Sequence, residues 1–287
     1  MPPFPAPVKE WHNDTYASID PSRPELSAKG KKIVITGGGY GIGRGTAIAF
    51  AEAGAAGIAI LGRKEAPLQE TKEFIENKHN IPVSTHVADV TDESAIKKAA
   101  KEIGEWHVLD MNAGYFAAPA ETMEISADEW WKPFEINIKG SFITAQAFLP
   151  NRGKDATLIG VSTGAVNLPA AMLIRTSSYA SSKYGLLKVM EILAAEFPDV
   201  HVVTIHPGVV ETNMLEKSEM AEQLPIDTPE LPAHFAVWIS SPEAAFVRGK
   251  FVSCNWDVDE LKKAAKKITE TDSLFTTSLV YSPELLA

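Results

Sequence analysis

Residues 31–55 have the sequence KKIVITGGGYGIGRGTAIAFAEAGA, which is the strongest indication of the fold. Six of the nine residues from Gly37 to Gly45 are glycine, and they directly follow the apolar β-branched run IVI at 33–35. Because the residues after the loop favour a helix, the glycines lie at a turn between a strand and a helix. In this context a glycine loop lets the backbone approach a phosphate at the N-terminus of the helix. A flexible turn is the alternative interpretation of a glycine cluster alone.

Short apolar runs continue to alternate with amphipathic segments as far as residue 255. Strand-like runs lie at 57–62, 83–90, 107–114, 156–162, 200–208 and 249–254, and helix-like segments lie at 42–53, 67–78, 93–103, 129–149 and 179–197. Such strands pair in parallel through right-handed crossovers. We therefore predict an α/β fold, a single-domain doubly wound (Rossmann-like) parallel sheet of about seven strands with helices on both faces. The proline-rich residues 1–28 are predicted to form an N-terminal arm on the surface, and residues 29–287 the catalytic domain with its C-terminal tail.

The composition excludes several classes of function. The 287 residues carry a formal net charge of −10, which repels nucleic acid and anionic membranes. The chain has no apolar stretch long enough to span a bilayer, and its first residues lack the core of a signal peptide. The single cysteine, Cys254, rules out an internal disulfide framework and cysteine-based zinc sites. We therefore predict a cytoplasmic protein without a metal centre, whose partner is a small molecule.

Five motifs follow one another in an order that is typical of one enzyme family. The glycine spacing is T-G-x-x-x-G-x-G at 36–43, not the G-x-G-x-x-G of other dinucleotide sites. The remaining motifs are NAG at 112–114, an Asn at 137, YASSK at 179–183, and PG with a later Thr at 207–212. With these motifs in this order, residues 31–255 resemble the short-chain dehydrogenase/reductase family. The chain is most similar to fungal members with a proline-rich N-terminal arm.

The resemblance implies a nicotinamide cofactor, and the residues after the second strand bear on which one it is. An acidic residue about 20 positions after the loop binds the ribose hydroxyls in NAD enzymes, whereas a basic residue there admits the 2′-phosphate of NADP. That acidic position falls on Gly62 and is followed by Arg63, so NADP(H) is predicted over NAD(H), with a solvated loop arginine as the alternative. Asp89 matches the family residue near the adenine, or neighbours a helix cap. The predicted cofactor-binding residues are Thr36, Gly37, Gly39, Tyr40, Gly41, Ile42, Gly43, Arg63, Asp89, Val90, Asn112, Ala113, Gly114, Tyr179, Lys183, Pro207, Gly208, Val210 and Thr212.

Hydride transfer to a carbonyl leaves an alkoxide that needs a proton, and a tyrosine can supply it if its pKa falls from about 10. Lys183, one helical turn after Tyr179, is placed to supply cationic charge beside the phenol. The resemblance also assigns this lysine to the nicotinamide ribose and Asn137 to a water near it, with a helix-bend residue as the alternative for Asn137. A second pair of the same spacing, Tyr184 and Lys188, points about 140° away around the helix, and Tyr184 is assigned to packing.

The family pattern also places a hydroxyl at the end of the fifth strand, where it hydrogen-bonds the substrate carbonyl. Ser162 and Thr163 both stand there. Alternation along a strand lets only one of them face the nicotinamide, and the register favours Thr163 with Ser162 on the opposite face. Which of the two supplies the hydroxyl stays open at this point.

These features together predict an NADP(H)-dependent oxidoreductase that interconverts a ketone or aldehyde and an alcohol, with Tyr179 as the acid/base. Residues 214–232 are varied and partly apolar, which suits a flexible lid over an apolar substrate. The resemblance implies a homodimer or homotetramer. The alternative is a non-redox protein on the same fold, either a nucleotide sensor or a cyclase or isomerase. The predicted catalytic residues are Tyr179, Lys183, Thr163, Ser162 and Asn137.

Overall fold

A parallel sheet of seven strands forms the centre of the computed structural model, which describes residues 6–218 and 225–279. The strands are β1 (Lys32–Thr36), β2 (Gly57–Gly62), β3 (Val83–Val87), β4 (Trp106–Met111), β5 (Arg152–Val161), β6 (His201–His206) and β7 (Phe251–Ser253). The helices in these ranges are α1 (Gly41–Glu52), α2 (Glu65–His79), α3 (Glu93–Ile103), α4 (Ala127–Pro133), α5 (Ser141–Phe148), α6 (Ser177–Glu196), α7 (Asn213–Ser218), α8 (Glu230–Ile239), α9 (Val258–Lys263) and α10 (Ala265–Glu270). The strand order is β3-β2-β1-β4-β5-β6-β7. The predicted doubly wound fold is confirmed.

The strands are apolar at successive positions because helices cover both faces of the sheet. In β1, Ile33 and Ile35 pack into the core layer that contains side chains of α1, α2 and α8. Val34, between them, packs into the opposite layer with side chains of α3, α5 and α6. Successive side chains of a strand point to opposite faces. One short strand therefore contributes to both cores.

The strand order reverses at β1, and this reversal positions the site. The chain runs from β1 outward through β2 to β3 and then returns to β4 on the other side of β1. A crevice opens at the carboxyl ends of the strands where such a reversal occurs. The glycine loop follows β1, the NAG segment follows β4, and the residues Ser162 and Thr163 follow β5. Three of the predicted site segments therefore lie at the carboxyl ends of neighbouring strands.

The helix predicted at 129–149 is present as one continuous helical run over residues 127–148, but it contains a π-helical segment that was not predicted. The structure has α4, then a π-helical segment at Phe134–Gly140, and then α5. Pro133 stands at the end of α4 and has no N–H to continue the regular hydrogen bonding. π-Helical turns within helices occur frequently at functional sites, and this one carries Asn137.

The lid predicted at 214–232 covers several kinds of structure. Helix α7 occupies its first part, residues 219–224 lie outside the described residues, and α8 begins at Glu230. Asp227 and Leu231 are buried, so the lid prediction is wrong from residue 227 onward. The cause is tertiary: α8 is apolar on most of its surface because it packs against α1 and the sheet. Among the described helices, none has both the length and the apolar character needed to cross a membrane.

Residues 6–28, which precede β1, pack against the body of the protein. Ile19 and Leu26 are buried in the core layer of α1 and α8. The Arg23 guanidinium donates to both carboxylate oxygens of Glu243, at 2.6 and 3.4 Å. This segment therefore contributes to the core rather than only covering the surface, while the division of the chain at residue 28 stays a prediction.

Candidate active site

The loop after β1 leaves no room for a side chain at three of its positions. Gly37 has a φ of +74°, and a Cβ there would lie 2.8 Å from Nδ2 of Asn112. A Cβ on Gly43 would lie 2.5 Å from the carbonyl oxygen of Gly37, and one on Gly41 would lie 2.9 Å from Cγ2 of Thr212. These three positions therefore require glycine. They are the three glycines of the T-G-x-x-x-G-x-G spacing.

The N-terminus of α1 is suited to an anion. Tyr40 precedes the helix in an extended conformation, and its side chain, which is 53% exposed, makes no capping hydrogen bond. The first turn of α1 contains no acidic residue, so no carboxylate competes for its backbone N–H groups. The partial positive charge at a helix N-terminus then favours a phosphate. Gly39 and Ile42, also predicted to bind the cofactor, lie in the same turn.

Thr36 joins the glycine loop to the NAG segment. Its hydroxyl accepts a hydrogen bond from the Ala113 N–H at 3.0 Å, and Asn112 Nδ2 donates to the Thr36 carbonyl oxygen at 2.9 Å. Gly114 comes next, and a Cβ there would lie 3.3 Å from Nζ of Lys183. The structure therefore brings these predicted residues together around the crevice between β1 and β4.

The residues predicted for the adenosine end follow β2 and β3. Arg63 comes directly after β2 and is exposed. Asp89 follows β3, and its Oδ1 accepts from the N–H and the hydroxyl of Thr91 at 2.9 and 2.8 Å. Val90 is buried against Gly140, where a Cβ would lie 2.6 Å from Cγ2 of the valine. The Asp89 carboxylate thus makes local hydrogen bonds before α3, as its alternative interpretation expects.

Tyr179 and Thr163 carry two hydroxyl groups that line one cavity. Thr163 follows the end of β5, and Tyr179 lies in the first turn of α6. Burial raises the pKa of Tyr179 to about 12, and Thr163, as a hydrogen-bond partner of the phenol, opposes that rise. The Phe116 ring packs at a centroid distance of 4.4 Å. The phenol is therefore protonated at neutral pH and able to donate.

Ser162 points away from this hydroxyl pair. It is buried, and its Oγ donates to the carbonyl oxygen of Lys183 at 3.1 Å. The two hydroxyl residues therefore lie on opposite sides of the chain, with Thr163 on the side of Tyr179, which is the arrangement that the register predicted.

Lys183 is buried on α6, and its ammonium is held by the sheet. Nζ donates to the Val161 carbonyl oxygen at 2.7 Å. Burial lowers the pKa of Lys183 to about 8. The predicted lowering of the Tyr179 pKa by this ammonium is wrong for this arrangement, because that pKa is raised by burial and opposed only by Thr163.

The buried ammonium predicts a specific dependence of stability on pH. Since the pKa of Lys183 falls from 10.5 to about 8 on folding, the unfolded chain binds more protons between these values, and stability rises with pH across that window. The wild-type free energy of unfolding relative to that of Lys183→Met should therefore increase by up to about 3 kcal/mol from about pH 7 to about pH 10. Urea unfolding of both proteins measures it. A difference that stays flat over this pH range would contradict the burial of the ammonium.

Asn137 connects three parts of the site. Its Oδ1 accepts from the Tyr115 N–H at 2.8 Å, and its Nδ2 donates to the Tyr115 carbonyl at 3.0 Å and to Ser182 Oγ at 2.9 Å. The same Oδ1 would lie 3.4 Å from a Cβ on Gly114. This buried amide therefore ties the π-helical segment to the loop after β4 and to α6.

A cavity of about 220 Å³ contains the Tyr179–Thr163 pair. It is bounded by the start of α6, the loop after β5, the loop after β6 and α7. Most of its lining is apolar, and it includes Phe116, Leu168, Met172, Val209, Leu215 and Trp256. Ile42 of the glycine loop also lines it. An apolar molecule whose oxygen reaches the two hydroxyls fits this arrangement.

A buried carboxylate holds the loop after β6. Gly208 has a φ of +76°, and a Cβ there would lie 2.4 Å from Oδ2 of Asp227. The same oxygen accepts from the Val209 N–H at 2.6 Å. Sequence reasoning did not find Asp227, because nothing nearby in the chain distinguishes it. The predicted residues of this loop are Pro207, Gly208, Val210 and Thr212, of which Pro207 and Val210 are buried.

His206 and the second Tyr–Lys pair have no part in the arrangement of Tyr179 and Thr163. His206 lines the cavity, and burial lowers its pKa to about 4, so the imidazole is neutral.

Tyr184 is 46% exposed, so the packing role predicted for it is wrong. Lys188 donates to the Thr277 carbonyl oxygen at 2.9 Å and pairs with Glu191. Tyr184 and Lys188 therefore lie on the outer face of α6, where Lys188 makes surface contacts.

Comparison with known proteins agrees with the motifs. A family model described as short chain dehydrogenase matches residues 31–223. A short chain dehydrogenase of Emericella variicolor is 31% identical, over 95% of this chain and 96% of its own length. A short chain dehydrogenase/reductase of Claviceps purpurea is 32% identical, over 96% of this chain and 95% of its own.

Solved structures show the same fold. A short chain dehydrogenase from Burkholderia cenocepacia, in complex with NADP, has a TM-score of 0.73 at 22% identity, over 81% of this chain and 99% of that one. A short chain dehydrogenase from Salmonella enterica has the same TM-score at 21% identity, over 81% and 98%.

The chain belongs to the short-chain dehydrogenase/reductase family. It is thereby an oxidoreductase of a family that uses a nicotinamide cofactor and acts on CH–OH and C=O groups. The residues present fit such a cofactor. The α1 N-terminus has neither a side-chain cap nor an acid in its first turn, and the buried ammonium of Lys183 lies beside the bare Gly114.

Proposed function

We propose that the protein is an NADP(H)-dependent oxidoreductase that interconverts a ketone or aldehyde and an alcohol, with Tyr179 as the acid/base. The observation that carries this proposal is the hydroxyl pair: Tyr179 and Thr163 meet inside a largely apolar cavity that Ile42 of the glycine loop also lines. A carbonyl oxygen placed there receives two hydrogen-bond donors.

The chain's own residues carry the proton and hold the substrate. When bound, a reduced nicotinamide supplies a hydride to the carbonyl carbon. The Thr163 hydroxyl donates to the carbonyl oxygen as negative charge develops on it. Tyr179 then transfers its phenolic proton to that oxygen, which completes the alcohol. A pKa of about 12 keeps the phenol protonated at neutral pH, so it can donate its proton when a carbonyl is reduced.

The remaining site residues bind and position. We assign the α1 N-terminus and the glycine loop to the pyrophosphate, and the Lys183 ammonium, beside Gly114, to the ribose of the nicotinamide. Asn137 holds the loop after β4 through both backbone groups of Tyr115. We propose that it also keeps a water near Lys183 as a path for protons, which stays a prediction.

The choice of NADP(H) over NAD(H) is assigned to Arg63. Its guanidinium follows β2 directly and is exposed, with Gly62 where NAD enzymes have an acid. A guanidinium–phosphate contact of this kind should contribute on the order of 1.5–3 kcal/mol. Arg63→Ala is therefore expected to weaken NADPH binding by about 10- to 100-fold and to leave NADH binding unchanged. Calorimetric titration of both cofactors measures this, and equal wild-type affinities for NADPH and NADH would contradict the assignment.

We further propose a cytoplasmic homodimer or homotetramer. Trp131 and Phe142 are 52% and 51% exposed on α4 and α5. The Trp131 ring also stacks on Phe134, with a distance of 5.1 Å between the ring centroids. Large exposed apolar side chains grouped on neighbouring helices suit an interface between copies of the chain.

A further inference from the structure

We infer that the N-terminal arm is part of the substrate site: Trp11 is a specificity-determining wall of the cavity, and Asp227 is the residue that positions this wall against the loop after β6. The inference rests on the proposed function for the identity of the reaction. It goes further by assigning the substrate class, a flat aromatic carbonyl compound, to contacts made by the arm.

Trp11, near the start of the sequence, and Trp256, near its end, both line the cavity. They form an isolated antiparallel bridge, and the same cavity holds Tyr179 and Thr163. Phe116 packs against the ring of Tyr179 in the same cavity. Aromatic rings placed around a cavity favour a flat aromatic guest, because ring–ring contacts add to apolar burial.

Backbone hydrogen bonds on both sides of Trp11 hold it in place. The Glu260 carboxylate accepts from the N–H groups of Lys9 and Glu10 at 2.9 and 3.0 Å. On the other side, the His12 N–H donates to the Asn255 carbonyl, and Asn255 Nδ2 donates to the His12 carbonyl, both at 2.9 Å. A wall fixed in this way needs no ordering when a ligand binds, which strengthens binding.

Asp227 joins the arm to the loop after β6. Its Oδ1 accepts from Asn13 Nδ2 at 2.6 Å and from Asn255 Nδ2 at 3.0 Å, and its Oδ2 accepts from the Val209 N–H at 2.6 Å. Val209 itself lines the cavity. Charge-assisted hydrogen bonds to a buried carboxylate are strong and directional. One side chain therefore ties the arm wall to the loop after β6, which also lines the cavity.

The principal test is Trp11→Ala, with 2-acetylnaphthalene as the aromatic probe and butanone as the small one. Loss of the indole should raise the KM for 2-acetylnaphthalene at least ~10-fold with a change in kcat below about threefold. Turnover of butanone and the Kd for NADPH should not change. Trp11→Phe should restore most of the affinity. Phe74→Ala, which removes an aromatic ring from the exposed face of α2, is the control and should alter none of these constants.

A double-mutant cycle tests the positioning role. Asn13→Ala removes the arm-side hydrogen bond of Asp227 and should raise the KM for 2-acetylnaphthalene about threefold without lowering kcat. Added to Trp11→Ala, it should have almost no further effect, since it acts through the indole. Ser18→Ala, which removes an arm hydrogen bond to Asp259 away from the cavity, should be silent. Independent, multiplying effects would overturn the positioning role.

Direct binding separates this inference from the proposed function. Calorimetry of 2-acetylnaphthalene with the NADP-loaded protein should give a Kd that Trp11→Ala weakens at least ~10-fold. If Trp11→Ala weakens binding but no carbonyl is reduced, the proposed reaction is wrong and the substrate-binding role of Trp11 is supported. If the ketone is reduced and Trp11→Ala changes neither its KM nor its Kd, the role of Trp11 is wrong and the proposed reaction is supported. Equal losses for both probes would also overturn the specificity role.

Discussion

Replacing Tyr179 by phenylalanine is expected to lower turnover by at least ~10²-fold while NADPH still binds. The substitution removes the phenolic hydroxyl, which is the proton donor of the proposed reaction, and keeps the ring that packs on Phe116. The cavity therefore keeps its shape. Steady-state rates with a reducible ketone, together with calorimetric NADPH titration of the same protein, give both quantities.

Tyr184→Phe is the matched control for this change. Tyr184 lies five residues later on the same helix, has the same Tyr–Lys spacing and is largely outside the cavity that holds Tyr179. Because its side chain is exposed, the substitution should leave turnover and stability nearly unchanged. Full reductase activity in Tyr179→Phe would remove the basis of the acid/base assignment and favour a non-redox protein on the same fold.

Thr163→Val is expected to lower turnover by ~10²- to 10³-fold, the usual effect of losing one donor to a developing oxyanion. Valine keeps the branched shape of threonine and deletes only the hydroxyl. NADPH binding should not weaken.

Two companion variants decide which hydroxyl acts. Thr163→Ser keeps the donor and should retain most of the rate. Ser162→Ala should have a small effect, because Ser162 Oγ donates to the Lys183 carbonyl on the other side of the chain. A damaging Ser162→Ala together with a silent Thr163→Val would mean that the two side chains exchange roles. If neither substitution matters, the site does not use a hydroxyl donor.

Much of the fold could be predicted from residues 31–55 because its determinants are local. A β-branched run, a glycine loop and a helix follow one another within one unit, and the structure places β1 and α1 within two residues of the predicted bounds. The separation of Ser162 from Thr163 could also be predicted, since alternation along a strand depends only on backbone geometry. In such cases the sequence pattern and the structure are connected by a single short-range rule.

The rest could not be predicted because it depends on contacts between distant parts of the chain. Trp11 enters the cavity only through pairing with Trp256, and Asp227 meets Asn13 across 214 positions of sequence. The direction of the Lys183 ammonium depends on the Val161 carbonyl rather than on the helical spacing to Tyr179. No periodicity within one segment reports such contacts.

The π-helical segment inside the long helix could not be predicted for a different reason. Pro133 and this segment change the local hydrogen bonding without interrupting the apolar pattern of one helix. Helix α8 could not be predicted because most of its residues are apolar and pack into the core. It therefore lacks the polar face that marks an amphipathic helix in a sequence.

The proposed reaction is hydride transfer from NADPH to a carbonyl carbon with Tyr179 as the proton donor. The most direct measurement incubates the protein with NADPH deuterated at the transferable C4 position and a panel of aromatic and aliphatic ketones, aldehydes and quinones, followed by mass spectrometry of the products. We expect an alcohol that carries one deuterium on the former carbonyl carbon, formed by the wild type and lost in Tyr179→Phe. Tight binding of NADPH with no deuterium in any product of the panel would contradict the proposed reaction.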